Sequence, residues 1–193
     1  SMDYDADHRR LKPTLDIQAG PKITVKALEA KISKGKLKRY VPVYEEGAVD
    51  RDLLVEGARN LRDYFQSKGY PDVDVTFRRL SAQDDQETIE YFIARGQKQK
   101  LAHIEIRGND YFKTDTLRER MFLEPSSLQF RGGRYSEAFR TKDEETIAAL
   151  YKSNGFRDVK VTSRVEKDYG GKKNQLGVTF NIEPASIRMA VQR

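Results

Sequence analysis

The chain has 193 residues, no cysteine, 36 basic and 30 acidic side chains, and a formal net charge of +6. Without cysteine it can build no disulfide framework, thiolate zinc site or cysteine nucleophile. No apolar run approaches the roughly 20 residues that a membrane helix needs. The two signs of charge are interleaved along most of the chain, which describes a solvated surface. Local basic excesses stand at Lys31, Lys34, Lys36, Lys38 and Arg39, and again at Lys98 and Lys100. Contact with phosphate or anionic lipid is one reading of them, and a wet helix face is the other.

Ser1-Met2 reads as a cloning scar and the chain as an excised fragment. Residues 1–20 are read as a tail holding the end of a preceding module. Residues 21–96 form a first module, 97–184 a second, and 185–193 the start of a following segment. In the first module Ile23, Val25 and Ala27 alternate as a short strand. Ser33 is placed to cap a short helix with Leu37, Tyr40 and Val41 on one face. After a connection containing Gly47, Asp50 caps a longer helix whose stripe is Leu54, Ala58, Leu61 and Phe65. Lys68-Gly69-Tyr70 ends that helix, because glycine enters the left-handed C′ conformation without a Cβ clash. Val73, Val75 and Phe77, then Ile89, Tyr91 and Ile93, alternate as a hairpin with one buried and one wet face. Phe92 points opposite to Tyr91 and is a candidate exposed apolar contact.

The same signals then recur. Ala102, Ile104 and Ile106 form a strand, and Thr114 caps a short helix carrying Leu117 and Met121. Thr141-Lys142-Asp143-Glu144 has the spacing of a capping box for a long helix bearing Ile147, Leu150 and Tyr151. Asn154-Gly155-Phe156 ends it, and a hairpin of Val159, Val161 and Val165 with Leu176, Val178, Phe180 and Ile182 follows. Setting Gly69 on Gly155, an offset of 86, puts Leu61 on Ile147, Phe65 on Tyr151, Tyr70 on Phe156 and Val75 on Val161. Ile17-Gln18-Ala19-Gly20 echoes Ile93-Ala94-Arg95-Gly96, and loop-like insertions lie around Pro125 to Arg134 and Asp168 to Asn174. A repeat of this length marks a modular array rather than one enzyme core. The predicted class is α+β: tandem β-α-α-β-β modules, each a three-stranded mixed sheet covered on one face by two helices.

Two runs, Lys68-Gly69-Tyr70-Pro71-Asp72-Val73-Asp74-Val75 and Ser153-Asn154-Gly155-Phe156-Arg157-Asp158-Val159-Lys160-Val161, resemble the polypeptide-transport-associated (POTRA) domain. So does the junction from Ile93-Ala94-Arg95-Gly96 to Ile104-Glu105-Ile106-Arg107-Gly108-Asn109-Asp110-Tyr111-Phe112. The likeness is to a POTRA pair of a BamA/TamA-like outer-membrane β-barrel assembly protein and covers residues 14–184. It departs at Glu29-Ala30, where the first unit lacks the Gly-Asn that follows the second unit's first strand.

The resemblance implies a soluble periplasmic arm of an outer-membrane protein, and a family of surface antigens and protein-transport factors. Its implied partners are unfolded outer-membrane protein substrates, assembly-complex subunits and the parent's own C-terminal β-barrel. It also implies that the strand after each long helix lies at a sheet edge. Those candidate peptide-binding edges are Asp72, Val73, Asp74, Val75, Thr76, Phe77 and Arg78, and Asp158, Val159, Lys160, Val161, Thr162, Ser163 and Arg164. An extended client can pair with such an edge by β-augmentation. The charges at Asp74, Arg78, Lys160 and Arg164 either steer a client or guard the edge against aggregation. Arg95, Gly96, Gln97, Lys98, Gln99, Lys100 and Leu101 form the expected module hinge. Two other readings are a non-catalytic spacer or scaffold arm and a POTRA-containing cell-division protein.

Catalysis finds little footing. His8 and His103 are the two histidines, and Asp84-Asp85 and Glu144-Glu145 are accounted for by solvation and helix capping. No phosphate-binding glycine loop or metal-ligand spacing stands out, so no catalytic residue, cofactor-binding residue or metal ligand is assigned. Nucleic acid is disfavoured because most aromatics fall at inward positions of the alternation. An anionic membrane surface stays open as a partner of the Lys31 to Arg39 run.

Overall fold

The computed structural model describes residues 22–46, 49–81, 86–128 and 131–183, with the backbone of 2–5 and 10–13. The echo at 17–20, His8, Gly47, Asp84, Asp85 and the segment 185–193 lie outside the described residues. Strands β1 (Met2–Asp5) and β2 (Arg10–Pro13) pair as an antiparallel ribbon. The first module runs β3 (Lys22–Leu28), α1 (Lys34–Tyr40), α2 (Val43–Glu46), α3 (Arg51–Ser67), β4 (Asp74–Ser81) and β5 (Gln86–Ala94). The second runs β6 (Lys100–Arg107), α4 (Thr114–Arg118), α5 (Glu137–Ser153), β7 (Lys160–Lys167), a 3-10 turn (Tyr169–Gly171) and β8 (Gln175–Glu183). Each sheet puts its last strand in the centre, in the orders β3-β5-β4 and β6-β8-β7. The central strand is parallel to the first strand and antiparallel to the middle one.

The period-2 pattern decides which face is covered. Ile89, Tyr91 and Ile93 of β5 pack with Leu54, Ala58, Leu61 and Phe65 of α3 in one core, and Leu176, Val178, Phe180 and Ile182 of β8 with Ile147 and Tyr151 of α5 in the other. Both long helices stop in the same way. Gly69 N donates to Gln66 O (2.9 Å) and Tyr70 N to Phe65 O (3.1 Å). Gly155 N donates to Lys152 O (3.2 Å) and Phe156 N to Tyr151 O (3.1 Å). These are Schellman motifs, and they require the positive φ of Gly69 (92°) and Gly155 (97°).

Several local expectations shift. Ser33 and Asp50 cap α1 and α3 through Lys36 N (3.4 Å) and Asp52 N (3.2 Å) as expected. Helix α5, however, begins at Glu137, one turn before the Thr141 capping box, and its N-cap is Ser136, whose Oγ accepts from Phe139 N at 3.1 Å. Thr114 is the first residue of α4 rather than its cap; its Oγ1 accepts from Asn109 Nδ2 at 3.0 Å, and Lys113 holds the cap position. A bulge between Leu101 and His103 turns Leu101 into the core in place of Ala102. The first module carries an additional one-turn helix, α2, which buries Val43.

Candidate functional site

The topology leaves β4 and β7 as sheet edges, because each pairs on one side only. Along β4, Asp74, Thr76, Arg78, Arg79 and Leu80 are exposed, Val75 is buried and Phe77 is half-buried. Along β7, Lys160, Thr162, Arg164 and Glu166 are exposed, and Val161, Ser163 and Val165 face α5. Among the described residues, no backbone group outside the sheets bonds to either strand. The opposite rim of the second sheet differs. At β6, Leu101 N donates to Gly132 O (3.0 Å) and Leu101 O accepts from Ser126 N (2.6 Å). The inserted loop, closed by the Glu124–Arg134 bridge, therefore occupies the start of that rim.

The expected edge runs begin slightly too early. Asp72 and Val73 precede β4, and Asp158 and Val159 precede β7. Val73 and Val159 are core residues that close the turns after the long helices, with their amides on Tyr70 O (3.2 Å) and Phe156 O (3.3 Å). Asp72 faces the junction instead, accepting from Gln99 Nε2 (3.2 Å) and pairing with Lys167 Nζ (2.7 Å). Charges on the β4 rim have partners. Arg78 meets Glu90 at 2.6 Å, Arg79 meets Glu87 at 2.5 Å, and Asp74 lies 3.8 Å from Arg62. Phe92 is half-buried beneath Arg78, whose guanidinium lies 5.2 Å from the ring centre. The lysines of α1 are exposed, and Lys36 and Lys38 lie over Tyr64 and Tyr44 at 5.3 and 5.7 Å. His103 is exposed on β6 and stacks on Tyr169 at 5.0 Å.

A polar network lies under β7. Arg140 donates to Glu137 Oε2 (2.6 Å), Glu144 Oε1 (3.2 Å) and Ser163 Oγ (2.7 Å), and Ser163 Oγ donates to Glu144 Oε1 (2.5 Å). Tyr135 donates to Glu137 Oε1 at 2.9 Å. Burial pushes the Glu137 carboxyl up, but its bonds from Arg140 and Tyr135 outweigh that and hold it below the ordinary carboxylate value. Burial, helped by the charge of Glu137, drives the Tyr135 hydroxyl well above the usual phenol value. Spacing of Arg140 and Glu144 at i, i+4 was the available signal. It was hidden because Ser163, the third member, lies on a different element.

The arrangement defines a class: two tandem β-α-α-β-β modules, each with an antiparallel edge strand that, among the described residues, pairs on one side only, beside helices packed on a single face. A family model described as the surface antigen variable number repeat, POTRA, matches residues 21–96 and 99–185. The chain belongs to the POTRA family. BamA from Haemophilus ducreyi lacking POTRA domains 1–3 is similar in fold, with 15% identity and a TM-score of 0.58 over 87% of this chain. The chain spans 30% of that protein's length. POTRA domains 3–5 of BamA from Haemophilus influenzae match with 12% identity and a TM-score of 0.53, covering 95% of this chain and 70% of theirs.

Proposed function

We propose that this POTRA pair is the periplasmic arm of an outer-membrane protein that assembles β-barrels or translocates polypeptides. In this reading unfolded client chains add as a further strand along β4 (Asp74–Ser81) or β7 (Lys160–Lys167). The observation that carries it is the pair of antiparallel edges, each with a row of backbone N–H and C=O groups left unpaired among the described residues. Backbone pairing is tolerant of sequence, which suits a receptor for many clients, while the alternate outward side chains bias the choice. Subunits of an assembly complex and the parent's own barrel are the further partners of the proposal.

Titration of the 15N-labelled protein with peptides copied from amphipathic barrel strands tests it. Amide shifts confined to 74–81 or 160–167 and their paired strands are expected. A spectrum unchanged at millimolar peptide, or shifts that avoid both edges, would overturn strand addition.

A further inference from the structure

The start of an α-helix presents amides with no intrahelical acceptor. At the start of α5, Phe139 N is satisfied locally by Ser136 Oγ. The two amides before it face side chains of the other module. Glu137 N donates to Gln66 Oε1 at 2.8 Å, and Asp63 lines the same groove as Glu137 and Ala138, where burial raises its carboxyl above the ordinary value and the Ala138 amide pulls it back down. Asp63 and Gln66 stand three apart near the end of α3, so both reach from one face. Gln66 is 3% exposed, and its Nε2 donates to Pro71 O at 3.0 Å, which fixes the direction of its amide. A carboxylate at a helix N-terminus is also favoured by the helix dipole.

The connection between the modules is held at both ends. Gln99 N donates to Gly69 O at 2.7 Å, and Lys100 N donates to Asn174 O at 3.0 Å. A Cβ on residue 69 would stand 2.9 Å from Gln99 O, so Gly69 serves this approach as well as the helix stop. Asp72 adds its bonds to Gln99 and Lys167. Lys100 and Leu101 are already in β6.

We infer that Asp63 and Gln66 form a cap supplied by one module to the long helix of the next. This cap locks the two modules into one body, and residues 95–101 do not act as a hinge. Gln66 and Asp63 are positioning residues: they set the relation between β4 and β7 without touching either edge's free side. The inference stands whether or not those edges bind clients.

Residual dipolar couplings measured separately for the two modules test it. One alignment tensor should fit both in the unaltered protein. In the Asp63→Ala/Gln66→Ala double variant the shared tensor should be lost, while amide shifts of β5 and β8 remain those of folded modules. Inserting two glycines after Gln97 leaves the cap intact, so the common tensor should survive, and this variant serves even if the double one does not fold. Two different tensors in the unaltered protein, an unchanged common tensor in the double variant, or a tensor split by the glycine insertion would each overturn the lock.

Discussion

The two modules share a backbone plan but fill the same helix–sheet contact with opposite chemistry. At the offset of 86 residues, Leu54, Gly57, Ala58 and Phe77 of the first module correspond to Arg140, Asp143, Glu144 and Ser163 of the second. In the first, Leu54 and Ala58 are buried in an apolar core beside Phe77. Gly57 leaves room for Tyr91, whose hydroxyl donates to Leu54 O at 3.1 Å. In the second, Arg140, Glu144 and Ser163 make the polar network. The buried Asp143 accepts from Phe122 N (2.6 Å) and Leu123 N (3.0 Å). At these positions one helix is held by dispersion and area, and the other adds to its apolar core of Ile147 and Tyr151 directional bonds that also fasten the segment after α4. Equivalent positions in a repeat need conserve only the geometry of the contact, because either chemistry satisfies a half-buried surface once its polar groups are paired.

Removing the Asp143 carboxylate should have the largest effect. Asp143→Ala leaves the buried Leu123 amide and the Phe122 amide without acceptors, a cost of about 3 kcal/mol. Denaturant unfolding followed at the amides of β8 would register it, with β5 shifting far less. Gly57→Ala attacks the corresponding position of the first module. Its Cβ would sit 2.5 Å from Tyr91 Oη, so the ring must move off its bond to Leu54 O. A loss of about 2 kcal/mol is expected after the gain in helix propensity is counted, this time concentrated in β5.

Arg140→Ala breaks the network on one side only and strands Glu144 against Ser163. Because Arg140 and Glu144 are partly solvated, about 1–2 kcal/mol is expected rather than the larger cost of a fully buried pair. Replacing the whole set with the first module's residues, Arg140→Leu/Glu144→Ala/Ser163→Phe, should instead leave stability within about 1 kcal/mol of the unaltered protein. A triple variant as damaged as the single one would break the equivalence of the two contacts.

The smallest effect concerns pH. Burial holds the Asp143 carboxyl above its ordinary value, against the pull of the Phe122 and Leu123 amides and the charges of Arg118 and Arg134. The folded state thus favours the protonated form more than the unfolded state does. Ionisation of Asp143 opposes folding above that raised value, and the opposition fades as pH falls towards the ordinary carboxylate range. The unaltered protein should therefore gain stability relative to Asp143→Asn between neutral pH and pH 4. A difference between the two that stays flat with pH would remove this account.

Much of the architecture was written locally. Helix stops at Gly69 and Gly155, the caps Ser33 and Asp50, and the alternating strands depend on residues within a few positions of one another, so their patterns survive in one dimension. The strand order puts β4 and β7 at sheet edges, but these strands start two residues after Asp72 and Asp158, because Val73 and Val159 continue the alternation while closing the turns. The Thr141 capping box lies inside α5 for a related reason. Arg140 and Glu144 interrupt the apolar stripe that would have extended the helix back to Glu137.

The bond from Glu137 N at the start of α5 to Gln66, the burial of Asp143 over the Phe122 amide, and the docking of the insertion against Leu101 each join groups that are distant along the chain. Their polar atoms look like ordinary surface residues until a neighbouring element removes the water around them. Periodicity records which face of an element is apolar. Which polar groups find one another across elements is settled only when folding brings them together and leaves them no other partners.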